Sequence, residues 1–374
     1  MRVALVHYWL LGMRGGEKVL ESLCGMFPEA DIFTLFYEPA RVSATIRSHR
    51  VQCSFLNPFR WCYRSLLPLM PLALEQWDLR EYDLVISSES GPAKGVITTS
   101  NTRHICYCHS PMRYLWDLYP AYLHEWTSSR IKRALIAPLS NYLRLWDRCS
   151  ADRVDDFVAN SHNVRRRIWK AYRRKAQVIY PPVAVSSFTH QAAHDYYMTV
   201  SELVKYKRIE DAVRCFNRSG RQLKVVGSGP EYKVLRKMAG PNIEFYGRVS
   251  DVDLRQLYAR CRALVFPGEE DFGIAPVEAM ASGKPVIALR KGGVLETVPE
   301  NKPRAGFFYD CPGPDQLEAA VVEFEAEEKS LDPFAIAGAA ARFSEDRFRS
   351  EMTHAIYGSR ATPIFRNQAA SLVS

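Results

Sequence analysis

Short apolar runs alternate with longer helical stretches along almost all of this 374-residue chain, and the alternation breaks most clearly at Tyr180-Pro181-Pro182-Val183. In the first half, segments 2–8, 31–36, 83–88, 104–108, 157–160 and 178–180 read as strands; in the second, 198–200, 223–226, 243–246, 263–266 and 286–289. Helices begin near Arg208, Pro230, Asp251 and Pro276 in the gaps of the second half. Strand and helix in turn argue for parallel sheets with helices on both faces. Consecutive prolines can continue neither element, and Ser186-Ser187 follow, so the break reads as a linker. A chain of this length is also too long for one comfortable core. The expectation is an α/β protein of two doubly wound domains facing across a cleft, with loops at the strand C-termini lining it. The expected boundaries are 1–182, 183–342 and a last segment, 343–374, opening on an amphipathic helix over 343–357.

Composition narrows the class. A hydrophobic fraction of 47% with 24% charged residues is that of an ordinary soluble globular protein. The apolar stretch after Met1 is too short for a secretory signal, and the run 66–74 is broken by Pro68 and Pro71 before it could span a bilayer. Nine cysteines, an odd number scattered along the chain, argue for reduced thiols in the cytoplasm. Cys106 and Cys108 point the same way in a strand, and no second pair completes a zinc site, so they read as core thiols.

The net charge of +9 asks for a partner. No nucleic-acid signature accompanies it, which leaves a nucleic-acid binder as the weakest reading. Arg165, Arg166, Arg167, Lys170, Arg173, Arg174 and Lys175 form a run without an acid, and Arg130, Lys132, Arg133, Arg144 and Arg148 lie just before it. Residues 55–77 mix aromatic and Leu side chains with Arg60 and Arg64. Basic and aromatic surface together fit an anionic membrane face; a solvated helix face with a covered apolar side fits as well.

The densest chemistry lies in Glu270-Asp271-Phe272-Gly273-Ile274-Ala275-Pro276-Val277-Glu278, running on to Pro285. It follows the apolar run Ala263-Leu264-Val265-Phe266 and Pro267-Gly268. A helix starting near Pro276, a residue tolerated at the first helical position, puts Glu278 in the first turn and Glu270 at the mouth of the strand. The free N–H groups between them form an anion site. Two carboxylates beside an anion site suit a nucleotide-sugar. Taken singly, a Glu in a first turn reads first as a helix-dipole partner, and a Glu in a strand–helix loop as a solvated residue. As a string, the segment closely resembles the double-glutamate motif of the retaining glycosyltransferases of family 4, which have the two-domain GT-B fold.

Other strings carry the same resemblance, which extends from Val3 to about Phe348. Gly12-Met13-Arg14-Gly15-Gly16-Glu17-Lys18 lacks the third Gly of a dinucleotide fingerprint, but matches in position the family's glycine loop, implying that Gly15 and Gly16 face donor phosphates. Cys106-Tyr107-Cys108-His109-Ser110-Pro111 resembles the family's His-containing loop, implying that His109 lies beside the transferred sugar. Its continuation through Met112-Arg113-Tyr114-Leu115-Trp116-Asp117, and Ala159-Asn160-Ser161-His162, look like the bacterial mannosyltransferases. In Ser201-Glu202-Leu203-Val204-Lys205-Tyr206-Lys207-Arg208 the family places an Arg and a Lys on the donor diphosphate. Lys207 matches the Lys; Glu202 fills the Arg position with the opposite charge, and Lys205 and Arg208 are the candidates to stand in. Val226-Gly227-Ser228-Gly229 is another strand–Gly turn, and Tyr246-Gly247-Arg248-Val249-Ser250 resembles the loop whose backbone reads the nucleotide base.

The resemblance therefore implies a retaining, metal-independent glycosyltransferase without a cofactor. The donor is GDP-mannose, and the acceptor a glycan on a polyprenyl diphosphate carrier at the inner face of the cytoplasmic membrane. Glu270 holds the transferred sugar, Glu278 the ribose, and Phe272, Gly273 and Ile274 lend amides to the leaving phosphates. A UDP-sugar transferase, epimerase or hydrolase on the same fold, and a membrane-associated scaffold with a dead site, are the alternatives.

Overall fold

The computed structural model describes residues 1–126 and 129–358. The chain divides into two compact units, one formed by 1–181 with the chain from 348 onward, the other by 182–347. The first holds seven parallel strands: β1 (Val3–His7), β2 (Asp31–Thr34), β3 (Val51–Cys53), β4 (Leu84–Glu89), β5 (Arg103–Cys108), β6 (Asp156–Ala159) and β7 (Ala176–Val178), in the order β3-β2-β1-β4-β5-β6-β7. Every residue of β1 is buried. Its side chains alternate between two cores: Leu5 packs with Leu20, Ile32 and Ile86, while Ala4 and Val6 pack with Phe33 and Val85. Cover on both faces is what an unbroken apolar strand requires. Each fully buried Leu or Ile there contributes about 1.5–3 kcal/mol, so the strand is gripped from both sides and its last residue, His7, has a fixed place.

The second unit holds β8 (Tyr197–Val200), β9 (Leu223–Val226), β10 (Ile243–Gly247), β11 (Leu264–Phe266), β12 (Val286–Leu289) and β13 (Gly306–Tyr309), in the order β10-β9-β8-β11-β12-β13. In each sheet the strand order reverses once, between β1 and β4 and between β8 and β11. Loops diverge at such a point, so the carboxyl ends of those strands flank a crevice.

Several local expectations need correction. β3 is a half-exposed three-residue edge strand and β13 opens on Gly306; neither was anticipated. β7 sits two residues earlier than 178–180. The helix expected from Pro276 runs Ile274–Ala281. Gly273, at φ 88°, precedes it, and Pro276 falls third, where its missing N–H is one of the unsatisfied donors anyway. The helix after Gly229 starts at Tyr232 rather than near Pro230.

Residues 345–357 form the helix Glu345–Tyr357; its Phe348, Met352, Ala355 and Ile356 complete the core around Leu5 and Ile105. Residues 359–374 of the expected last segment lie outside the described residues. Cys106 and Cys108 are buried against Val164 and Tyr172, and all nine cysteines are unpaired. No helix among the described residues is long and apolar enough to cross a membrane.

Candidate active site

In the second unit, the segments after β8 and β11 meet through an ion pair between Lys207 and Glu270, whose side chains are 14% and 25% exposed. Glycines make the approach possible. A Cβ on Gly268 would lie 2.8 Å from the Lys207 Cα. Gly292, at φ 79°, would bring a Cβ to 2.3 Å from the Glu270 carbonyl oxygen, which accepts the Gly293 N–H at 2.8 Å. Only glycine fits at either position, so the pair is fixed by backbone contact and not by side-chain reach. From sequence Gly268 read only as part of the turn closing a strand, and Gly292-Gly293 was not singled out, although it follows a strand in the same way as the glycine turns that were.

The neighbouring loops are joined in the same manner. Gly227, at φ 134°, donates its N–H to the Gly247 carbonyl at 2.7 Å, and a Cβ there would fall 1.8 Å from the Ser201 carbonyl oxygen. Leu203 donates to the Ser228 carbonyl at 3.0 Å, and Arg248 Nε to Ser228 Oγ at 3.1 Å. Thus Glu202, between Ser201 and Leu203, and the half-exposed Val249 belong to loops in direct backbone contact with Gly227 and its neighbours. Arg208 precedes the helix Ile209–Ser219 in a left-handed conformation, φ 55°, and its guanidinium pairs with Asp211 at 2.7 Å.

Glu278 differs from expectation. Because the helix begins at Ile274, Glu278 is its fifth residue, 6% exposed, and accepts a hydrogen bond from the Tyr258 hydroxyl at 3.1 Å. Burial, with the nearby Glu278 carboxylate, holds the Tyr258 phenol well above its usual range. Phe272 is buried edge-on against Phe343, ring centroids 5.4 Å apart, while the first free amides of the helix begin at Ile274, just after Gly273.

In the first unit, β1, β4 and β5 end side by side, with His7 in register with Ser88. His109 follows β5, donates its N–H to the Glu89 carbonyl at 2.7 Å, and holds Ser88 Oγ 2.9 Å from its Nε2. Burial pushes the His109 imidazole down to about 4, and burial, followed by His109 itself, pushes the His7 imidazole down to about 3. Both rings are neutral at physiological pH. Gly15 and Gly16 are the first two residues of the helix Gly15–Met26 rather than a loop before it. A Cβ on Gly16 would stand 3.0 Å from the Tyr8 hydroxyl and 3.5 Å from both His7 and His109, so glycine lets the helix end rest on the imidazoles. Glu17, 1% exposed, accepts the Arg14 N–H at 3.2 Å, and burial pushes its carboxyl up to about 7. Sequence reading passed over His7, Glu17 and Ser88; for His7 and Ser88 the signal was available, since polar residues ending an apolar strand point to a strand mouth. No group of three or more His, Cys, Asp or Glu among the described residues is placed to hold a metal ion.

Residues 13–187 match the family model Glycosyltransferase Family 4, and residues 187–340 the model for glycosyl transferases group 1. The chain belongs to glycosyltransferase family 4. An alpha-1,3/1,6-mannosyltransferase of Mus musculus is 23% identical over 397 aligned residues, covering 91% of this chain and 92% of the relative. A GDP-mannose-dependent alpha-mannosyltransferase of Corynebacterium glutamicum is 39% identical over 102 residues, 27% of this chain and 24% of the relative. The chain spans about half the length, or less, of the first curated relatives it matches. Among solved structures, Anabaena HepE in complex with UDP-glucose superposes with a TM-score of 0.70 at 16% identity, over 96% of this chain and 100% of that one. The family 4 chain therefore has the GT-B fold, with its two parallel-sheet α/β domains.

Proposed function

We propose that this family 4 protein is a retaining α-mannosyltransferase. It moves mannose from GDP-mannose to a growing glycan on a polyprenyl diphosphate carrier, at the inner face of the cytoplasmic membrane, in cell-surface polysaccharide synthesis. The observation that carries the reading is the Lys207–Glu270 pair at the β8/β11 crevice. Without donor, cation and carboxylate neutralise one another. A diphosphate carries more negative charge than a single carboxylate, so it draws the ammonium to itself and frees Glu270 for the hydroxyls of the transferred sugar. The amides at the start of the helix Ile274–Ala281 then face the charge that develops as the phosphate leaves.

Glu278, oriented by Tyr258, takes the ribose, and the loops around Gly227, Gly247, Arg248 and Val249 take the base. In the first unit, Gly15 and Gly16 serve the phosphates and His109 the sugar and acceptor side. No metal is assigned a role. Same-face attack, with the leaving phosphate receiving the acceptor proton, accounts for retention. Mannose is supported by what the mouse and Corynebacterium relatives are named for. A donor panel with mass detection tests this. Mannosylated product from GDP-mannose alone, in the α configuration and insensitive to EDTA, is expected. Turnover of a UDP-sugar, or release of an epimer or free sugar, overturns it; binding of no nucleotide-sugar at all points to a scaffold.

The membrane part rests on the surface of the first unit. Phe59, Trp61 and Leu72 are 52%, 82% and 53% exposed. The helix His162–Tyr172 turns Arg165, Arg166 and Lys170 outward beside the exposed Trp169, with Arg173 just beyond. The basic run is not one solvated block: Arg167 pairs with Asp117 at 3.3 Å, and Arg174 donates to the Ala151 carbonyl at 2.8 Å. Arg144 lies over the Tyr119 ring at 4.6 Å and Arg148 pairs with Asp152, while the side chains of Arg130 and Lys132 lie outside the described residues. Each outward cation near an anionic surface contributes ~1 kcal/mol. Flotation should require anionic lipid, fall with salt, and drop when Arg165, Arg166 and Lys170 become Ser; equal partition to neutral vesicles removes the docking face.

A further inference from the structure

Two histidines of the first unit, His104 on β5 and His109 just after it, are each bonded to a serine near the end of β4. Ser87 Oγ lies 2.9 Å from His104 Nε2, and His104 Nδ1 lies 3.3 Å from the Arg153 carbonyl oxygen. A carbonyl only accepts, so in that buried pair Nδ1 carries the proton and Nε2 accepts from the serine.

Ser88 Oγ lies at the same 2.9 Å from His109 Nε2, but no carbonyl takes the other nitrogen among the described residues. Ser88 is 0% exposed, and its hydroxyl makes no other hydrogen bond among the described residues. Were Nε2 to carry the proton, it would donate to Ser88 Oγ and leave a buried hydroxyl hydrogen without an acceptor, a costly arrangement. The economical one has the serine donating and Nε2 accepting. Gly16 closes that edge of the ring, since a Cβ on it would stand 3.5 Å from Nε2. The partly exposed imidazole is thus left with Nδ1 as the nitrogen for a ligand.

We infer that Ser88 is a positioning residue that holds His109 in its Nδ1–H form, so that His109 meets the transferred sugar as a hydrogen-bond donor to oxygen and never as a base. The identity of the ligand rests on the proposed function; the lock does not. A ring that presents N–H has no lone pair facing the acceptor hydroxyl, so the acceptor proton must go elsewhere, which agrees with its passing to the leaving phosphate.

Long-range ¹H–¹⁵N spectra of histidine-labelled protein at pH 7 read the tautomer directly, with His109→Gln identifying the signal and His104 as internal reference. The expected result is a protonated Nδ1 on both rings of the wild type. In Ser88→Ala, His109 alone should shift toward Nε2–H, with kcat lower by about 3–10-fold and donor KM unchanged; Ser88→Thr should restore both. A wild-type His109 protonated on Nε2, or a tautomer indifferent to Ser88→Ala, overturns the lock. If Ser88→Ala fails to fold, the wild-type spectrum alone decides. A switched tautomer with kcat untouched overturns the meeting with the sugar, and that element of the proposed function, while the lock stands.

Discussion

The strand ends at β1/β4 and at β8/β11 occupy equivalent points of two similar sheets, yet they present different chemistry. At the first, burial has stripped the charge from His7 and His109, leaving imidazoles, a serine hydroxyl and a glycine-started helix. At the second, Lys207 pairs with Glu270, and Arg208 with Asp211. Both solve the same physical problem, since a charge cannot be taken from water unless it is neutralised or matched. The solutions suit different ligands. Neutral donors and acceptors recognise hydroxyls, whereas a matched pair can re-sort around an incoming diphosphate.

The contrast breaks most completely if the backbone approach that builds the charged end is blocked. Gly227→Ala places a Cβ 1.8 Å from the Ser201 carbonyl at a φ of 134°, and should destabilise the second unit by more than about 4 kcal/mol. Thermal unfolding checks this; a melting temperature near wild type would mean the loops 201–203 and 227–229 can part freely. Glu270→Gln keeps the shape and removes the charge, and should lower kcat by on the order of 10²–10³ with the melting temperature preserved. Turnover near wild type would take Glu270 out of the chemistry.

Lys207→Ala should weaken GDP binding by about 1–3 kcal/mol in calorimetry, and Glu202→Arg should tighten it by less. Equal affinities in wild type and Lys207→Ala would place the diphosphate contact elsewhere.

The neutral end is sharpened through Glu17, whose carboxyl titrates at about 7 in the fold against 4.5 as its ordinary value. The fold favours the protonated form, so the stability it contributes is full below about 4.5 and is lost as pH rises through about 7. Glu17→Gln imitates that form. The variant should match wild type near pH 4 and exceed it at pH 8 by on the order of 1–3 kcal/mol. Identical pH profiles of melting would show that Glu17 ionises freely.

Much of this was readable from the residues. Runs such as β1 and Ala263-Leu264-Val265-Phe266 announce strands covered on both faces, and the order of motifs along the chain locates His109, Lys207 and Glu270. What was not readable depends on contacts distant in sequence. That Lys207 and Glu270 pair at all rests on Gly268 and Gly292, whose role is defined only by what a Cβ there would strike. Pro276 suggested a helix start because proline is usual at the first position; a left-handed Gly273 moved that start and carried Glu278 into the interior. Similarly, nothing in a run of seven cations distinguishes Arg167 and Arg174, which turn toward Asp117 and the Ala151 carbonyl, from their outward neighbours.

The helix Glu345–Tyr357 has a consequence for biosynthesis. Phe348, Met352, Ala355 and Ile356 fill the core that Leu5, Leu20 and Ile105 begin, so the first unit is built from both ends of the chain. On the ribosome its opening strands emerge first, but the side chains that close their core emerge after the whole second unit. At ~5–20 residues per second that interval is on the order of ten seconds or more. A nascent chain paused before Phe348 therefore holds every residue of the later unit while the earlier one still shows an uncovered apolar face. Completion of the two units thus runs in the reverse of the order in which their first strands are made.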